Sequence, residues 1–349
     1  MVGMATYENR WRYVRHVGAG GQGSVVLVTD ENGLLPGEIT LKRLTNAESP
    51  ERRARFERET KALEILDHPN ILRIHHKELQ PPSGDKPFFV AEYCTGGSLQ
   101  SIGAESFRDK VSEAAAVLIP IAQALEAAHR KDIFHRDCKP ANILFRGDGT
   151  PVLGDFGICH MEDGELVTLS IEGVGSKNFI APEMESGGTG EVSDATDAYS
   201  LAKVLYWMVS GGRVFAREGH RAGANNLARS TDRQRFEHVH LFLDKFLQPE
   251  PHKRKGLGDF RRGLQEVAML VEKDYVPLVP NREIRCRFCG LGTYQRSNNS
   301  SGFSVPQAGL QVAAGSYVVA MWCDHCGHIE SFNLKASGYR EWWNGNNSL

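Results

Sequence analysis

The chain has 349 residues, 41% of them hydrophobic, and a formal net charge of −2. This length allows one large domain or two smaller ones, and the apolar content excludes wholesale disorder. The near-neutral balance excludes a whole-chain field that would drive binding to nucleic acid or to a membrane surface. No apolar run reads as the ~18–20 residues of a membrane span. Met1 to Arg15 is polar and aromatic, without the apolar region of a signal peptide. The expectation is a soluble, cytoplasmic protein with no membrane partner.

Trp11 to Thr29 reads as two strands around a turn, with Tyr13, Val14, Val17, Val25, Val26 and Val28 supplying β-branched and aromatic character. The turn carries Gly18, Gly20 and Gly23, which let the backbone approach a phosphate without side-chain obstruction. A dinucleotide fold also uses this spacing, but it needs a helix next. Here Ser24 to Val28 continues as a strand, which favours a glycine flap laid over a nucleotide. The next strand, Gly37 to Leu44, holds Lys42 among apolar residues, where an unpaired ammonium is costly. Lys42 therefore needs phosphate oxygens or a carboxylate. Ser49-Pro50 opens an amphipathic helix running to Leu66, since proline suits the first helical position. Glu59 shares the face of Phe56 and Leu63 and is the first choice of partner for Lys42. Glu57 competes, and spacing alone does not exclude it. Strands at Ile71 to Glu78 and Phe88 to Glu92 follow. Glu92-Tyr93-Cys94-Thr95-Gly96-Gly97 is then a strand end whose exposed backbone suits a flat heterocycle such as adenine.

Val111 to Lys131 reads as a helix apolar along one side, with Pro120 expected to kink or break it locally. His135-Arg136-Asp137-Cys138-Lys139-Pro140-Ala141-Asn142 follows, packing an acid, two cations and a carboxamide into one short stretch. The Asp137 carboxylate can accept a proton from a hydroxyl, and Lys139 falls on the same side of an extended loop. Asn142 offers a neutral oxygen suited to a hard cation such as Mg²⁺. Asp155, in Asp155-Phe156-Gly157, is a second carboxylate for that cation. Together these are the parts needed to move a phosphoryl group onto an alcohol. Cys138 reads as a buried packing thiol. Ile158 to Lys177 reads as a loop with hydroxyls at Thr168, Ser170 and Ser176, closed by Ala181-Pro182-Glu183. Asp197 opens an apolar helix stopped by Gly211-Gly212. Arg213, Arg217, Arg221, Arg229, Arg233 and Arg235 make the following segment basic, either a solvated face or a patch for an acidic peptide or partner. Helices at Phe242 to Leu247 and Phe260 to Val271 flank a turn at Pro251 to Arg254.

In this order the motifs resemble the eukaryotic-like protein kinase family, its Ser/Thr branch in particular, over roughly Trp11 to Glu272. The resemblance implies an α+β bilobal fold, with a β-rich N-lobe at about 11–93 and an α-rich C-lobe at about 97–272. It implies that Gly18, Gly20 and Gly23 cover the ATP phosphates, and that Val17, Val25, Glu92, Cys94 and Leu144 belong to the nucleotide site. Lys42 would contact the phosphates and pair with Glu59. Asp137 would be the catalytic base or substrate orienter, Lys139 would steady the γ-phosphate, and Asn142 and Asp155 would hold Mg²⁺ or Mn²⁺. Ser176 would bond to the Asp137/Lys139 pair, Glu183 would pair with Arg254, and Asp197 would brace the catalytic loop. Arg136 would bind a phosphate carried on the loop, which implies autophosphorylation at Thr168 and Ser170. Thr40, Ala91, Phe179 and Ala202 depart from the family's common residues, and Ala91 opens a pocket behind the adenine. The implied function is transfer of the γ-phosphoryl of ATP to a Ser or Thr hydroxyl of a protein substrate. The rivals are a kinase-fold enzyme acting on a small molecule and a nucleotide-binding scaffold.

Residues 273–284 carry Pro277 and Pro280 and read as a linker. Cys286 and Cys289, then Cys323 and Cys326, form two Cys-x-x-Cys-Gly knuckles. Four thiolates suit tetrahedral Zn²⁺. Residues 285–335 thus resemble a small β zinc ribbon, followed by a tail at 336–349, with strands expected at Ser316 to Trp322 and Ile329 to Leu334. A redox pair or an iron site are the alternatives, and His325 and His328 read as bystanders. The ribbon is expected to dock on the kinase domain or on a protein partner. Arg285, Arg287, Arg296 and Trp322 offer nucleic-acid contacts, but no dense basic stripe favours that use.

Overall fold

The computed structural model describes residues 6–20, 23–82, 84–156, 178–185, 193–229, 231–273, 294–296, 318–323, 325–326 and 329–333. The N-terminal lobe is an antiparallel sheet of β1 (Thr6–Tyr7), β2 (Trp11–Gly20), β3 (Gly23–Asp30), β4 (Ile39–Leu44), β5 (Ile74–Glu78) and β6 (Phe88–Ala91), ordered β1-β2-β3-β4-β6-β5. Gly20 pairs with Gly23, so a strand follows the glycines, as a flap requires. A Cβ on Gly23 would lie 2.5 Å from the Arg43 carbonyl oxygen, so backbone proximity restricts this position to glycine. Side-chain alternation in β4 decides the rest of the lobe. Ile39 and Leu41 join Trp11, Val26, Val28, Phe88 and Val90 in one core cluster. Leu44 on the opposite face packs with Phe56, Leu63 and Phe89 in another. Lys42 shares this second face. Helix α1 (Pro50–Ile65) lies here, its first turn capped by the Ser49 hydroxyl, which accepts from the Arg52 N–H at 3.4 Å. The helix stops one residue short of the expected Leu66.

The C-terminal lobe carries α2 (Leu99–Ile102), α3 (Val111–His129), α4 (Pro182–Glu185), α5 (Asp194–Val209), α6 (Glu237–Leu243) and α7 (Leu257–Glu272). A small antiparallel sheet of β7 (Gly97–Ser98), β8 (Ile143–Phe145) and β9 (Pro151–Leu153) joins the connection after β6 to the segment beyond α3. Two expectations about α3 meet the structure differently. Pro120 lies inside α3 and does not break it, so of the expected kink or local break the break is corrected; α3 packs on α5 and α7, and Leu118, Ile121, Ala122 and Leu125 around the proline are fully buried. The 19 residues of α3 are also long and apolar enough to cross a membrane by length and composition, contrary to the sequence reading. Its apolarity here serves the core. Helix α6 begins at Glu237 and ends at Leu243, earlier at both ends than expected, and Asp244 to Leu247 continues in turns.

A third antiparallel sheet is formed by β10 (Tyr294–Arg296), β11 (Val318–Cys323) and β12 (Ile329–Asn333), with Trp322 opposite Ile329. The two later strands match the expected ones to within two residues. Strand β10 has no counterpart among the expected strands, since three residues with a single apolar member carry no readable alternation.

One ion pair ties α4 to the turn before α7. The Arg254 guanidinium donates to both oxygens of Glu183 at 2.7 and 2.8 Å, and the two side chains are 0% and 7% exposed. Thr196 on α5 donates its hydroxyl to the same carboxylate, and the Tyr199 ring stacks on the guanidinium at 4.7 Å. Arg254→Met leaves a buried carboxylate without its cation, so we expect a loss of about 3–5 kcal/mol of stability in urea unfolding. An unchanged midpoint would show that solvent reaches Glu183 after all.

Candidate active site

The loop after α3 is held from below by Asp197, which is fully buried on α5. Its carboxylate accepts the His135 N–H at 2.9 Å and the Arg136 N–H at 2.7 Å, and lies 2.7 Å from His129 Nε2. Burial by itself would raise this carboxyl, but the His129 contact and the backbone donors outweigh it and keep it below its ordinary value. Arg136 has φ +67° and Asp155 has φ +60°, a region that non-glycine residues rarely occupy. Backbone of this kind persists where its surroundings over-determine it. His135 does so here: its Nδ1 accepts the Asp137 N–H at 3.2 Å and its Nε2 donates to the Gly154 carbonyl at 3.0 Å. The ligand atoms of His135, Cys138 and Asp197 lie close enough to suggest a metal. The hydrogen bonds above already use both ring nitrogens and both carboxylate oxygens. Burial pushes the Cys138 thiol well above its usual range, so it packs as an uncharged group.

On this base, Lys139 Nζ donates to Asp137 Oδ2 at 2.5 Å. Asn142 donates its amide to the Asp137 carbonyl at 2.9 Å and to Asp137 Oδ2 at 3.2 Å, which leaves its side-chain oxygen as the atom able to meet a cation. Across the site, Lys42 Nζ donates to Glu59 at 2.6 and 2.7 Å and lies 3.5 Å from Asp155 Oδ1. Glu57 instead pairs with Arg53 on the exposed side of α1, so the choice between the two glutamates falls to Glu59. Asp155 Oδ1 is buried and makes no close hydrogen bond among the described residues, the Lys42 ammonium standing off at 3.5 Å, which leaves that oxygen able to meet a divalent cation.

Burial would depress the Lys42 ammonium, but the charges of Asp155 and Glu59 overcome it and raise it. Burial pushes the Asp137 carboxyl up, and Lys139 recovers only part of that shift. Desolvation acts upward on Asp155 too, yet Lys42 and Lys139 hold it below its usual value. The two aspartates are thus split. Asp137 is the better proton acceptor, and Asp155 remains an anion for a cation to bind.

Between the lobes lies a cavity of about 460 Å³. Val17, Gly18, Val25, Lys42, Glu59, Glu92, Cys94, Leu144, Asn142 and Asp155 all line it, as does Ala91. Gly20 and Gly23 do not, since they form the tip of the β2–β3 hairpin. The apolar walls at Val17, Val25, Ala91 and Leu144 fit a flat heterocycle, and the charged end fits phosphates with a cation. The Thr40 hydroxyl donates to the Ala91 and Glu92 carbonyls at 3.2 and 3.1 Å, which ties β4 to the connection beyond β6. Sequence reasoning missed Arg146. It donates to Glu92 at 2.6 and 2.8 Å and so fixes that connection against the β8–β9 turn. A contact across 54 residues leaves no local signal. Thr168, Ser170, Ser176, Cys286 and Cys289 lie outside the described residues.

The protein kinase domain family matches residues 11–267 of the chain. The chain belongs to that family. It is 33% identical over 218 residues to the serine/threonine-protein kinase PknA of Mycobacterium tuberculosis, a match covering 61% of this chain and 50% of PknA. Against PknB of the same organism it is 31% identical over 207 residues, covering 58% of this chain and 33% of PknB. The crystal structure of a point mutant of the Mycobacterium tuberculosis PknI kinase domain matches with a TM-score of 0.57 and 25% identity, covering 77% of this chain and 99% of that one. The chain spans half or less of the length of these two curated relatives. The bilobal kinase fold expected from the motifs is therefore present.

Carboxylate NMR titration checks the split between the aspartates. Asp137 should titrate above a free aspartate and Asp155 below it, and Lys139→Met should move Asp137 further up. Titration of Asp137 at or below the free value, about 3.9, would contradict this ordering.

Proposed function

We propose that this kinase-family chain is a protein serine/threonine kinase that moves the γ-phosphoryl of ATP onto a Ser or Thr hydroxyl of a protein. The observation that carries this reading is the convergence of Asp137, Lys139 and Asn142 with Asp155 and the Lys42–Glu59 pair at the charged end of one cavity. Mg²⁺ or Mn²⁺, when bound, neutralises the phosphate oxygens and the charge that develops on them. The chain's own residues do the rest. Asn142 Oδ1 and the Asp155 carboxylate hold the cation, and Lys42, aimed by Glu59, presents its ammonium to the nucleotide phosphates. Asp137 orients the acceptor hydroxyl and takes its proton, while Lys139 offers a positive charge beside the transferred group. Gly18, Gly20 and Gly23 shape the hairpin that covers the phosphates. Relatives named as serine/threonine kinases support the acceptor class. Phosphorylation of Thr168 and Ser170 by the chain itself belongs to this reading, since a dianionic phosphate on that loop would have Arg136 as a cation to pair with.

The C-terminal sheet supports a zinc ribbon in the same chain. Strand β11 ends at Cys323 and β12 begins at Ile329, so Cys323 closes one of two antiparallel strands and Cys326 falls between them. With Cys286 and Cys289 they make the Cys₄ set that Zn²⁺ prefers, and the metal would stabilise a sheet too small to bury much core. We assign its surface to docking on the kinase domain or on a protein partner.

Incubation with ATP and Mg²⁺ followed by phosphosite mapping tests the kinase reading. Wild type should phosphorylate protein Ser or Thr, with Thr168 or Ser170 among the sites, and Asp137→Asn should lose transfer by about 10²-fold or more while still binding nucleotide. Nucleotide binding without transfer to any protein would favour the scaffold. Because burial raises Asp137, activity should be present above that raised value and lost as pH falls through it, at a higher pH than for a free aspartate, about 3.9. For the ribbon, elemental analysis of protein purified without chelator should find close to one zinc per chain, and Cys326→Ser should lower it. A zinc content well below one would remove the assignment.

A further inference from the structure

The basic segment after α5 does not behave as one solvated face. Arg221 turns inward to Glu237 and Asp244, at 2.5 Å from each, and is structural. Arg213, Arg229 and Arg233 do something else. With Arg108, from the connection before α3, they line a single cavity of about 510 Å³ that also includes Ser210 and Asn226. It shares no residue with the catalytic cavity.

The four guanidiniums are not simply neutralised. Arg108 pairs with Glu105, and Arg233 forms a two-pronged pair with Asp109. Arg213 reaches the Ala224 carbonyl at 2.7 Å, and Arg229 has no acidic partner among the described residues. Among the described residues four cations therefore face two carboxylates, and two positive charges remain. The surroundings hold these groups in place. Arg233 also donates to the Leu227 carbonyl at 3.1 Å and stacks on Phe236 at 4.7 Å. The Arg213 N–H donates to the Ser210 hydroxyl at 3.1 Å. Gly211, at φ +73°, leaves the space in which Arg108 lies: a Cβ there would sit 2.3 Å from Arg108 Nε. Guanidiniums ordered before binding lose less freedom when an anion arrives.

We infer that this arginine cavity is a second binding site, which takes a phosphoryl monoester carried on a protein segment. The residual double positive charge matches a dianion. A phosphoryl group also offers three acceptor oxygens to several planar forks at once, which a carboxylate monoanion does not. A nucleic acid would need cations in a row, matching successive phosphates, whereas these converge on one cavity. The inference rests on charge and geometry alone and does not require the chain to transfer phosphate.

The test is calorimetric titration of the full chain, at about 0.05 M salt so that surface charges are weakly screened. The probe is a neutral Gly/Ala peptide carrying one phosphoserine. It should bind saturably, and roughly tenfold or more tighter than the same peptide with Ser or Glu, or than inorganic phosphate. Arg229→Gln is an exposed change that spares the fold, and it should weaken binding by roughly tenfold, or about 1.4 kcal/mol. Arg213→Gln should do the same. Equal affinity for the Ser peptide, or indifference to both substitutions, overturns the site. Inorganic phosphate binding as tightly as the peptide overturns the assignment to phosphoprotein, and so does an oligouridylate that binds tighter than the peptide and depends on the same arginines.

Discussion

The Asp197 carboxylate is the constraint on which the site depends. It is fully buried on α5, a helix with nearly every residue inside the core, so the protein must keep an anion there with donors from elsewhere. Those donors are the end of α3 at His129 and the backbone of His135 and Arg136. Meeting that demand draws the loop against α5 and holds Arg136 at a positive φ. Asp137, Lys139 and Asn142 follow within a few residues, so their positions descend from a charge that never meets substrate.

The second constraint is the charge balance above that loop. Lys42 reaches both Glu59 and Asp155, which links the sheet, α1 and the turn after β9. A buried pair of this kind contributes little net stability, because desolvation offsets attraction. Its effect is on position and on proton affinity. Two lysines stand among three carboxylates, Glu59, Asp137 and Asp155, and the surplus negative charge suits a bound divalent cation. Burial raises both aspartates, and the cations then separate them, because Lys42 and Lys139 both act on Asp155 while Asp137 has Lys139 as its main cation.

Arginine serves two purposes in one stretch of chain. Arg221 is pulled into the lobe by two acids, while Arg213, Arg229 and Arg233 turn to a cavity with Arg108. Composition alone could not divide them, since the division depends on where Glu237, Asp244, Glu105 and Asp109 come to rest.

Local chemistry in the sequence determined much of this protein. The alternation in β4 placed Lys42 opposite the face of Ile39 and Leu41, Ser49-Pro50 marked the start of α1, and the spacing of Gly18, Lys42, Asp137, Asn142 and Asp155 identified the site. These signals are legible because strand period, helix capping and turn chemistry act over a few residues. The tertiary structure decided the rest. It chose Glu59 over Glu57 by the side of α1 that met the sheet, kept α3 intact through Pro120 by packing on both flanks, and brought Arg146 to Glu92 across 54 residues. Each of those outcomes turns on a partner distant in the chain, and no periodicity records which distant residue will arrive.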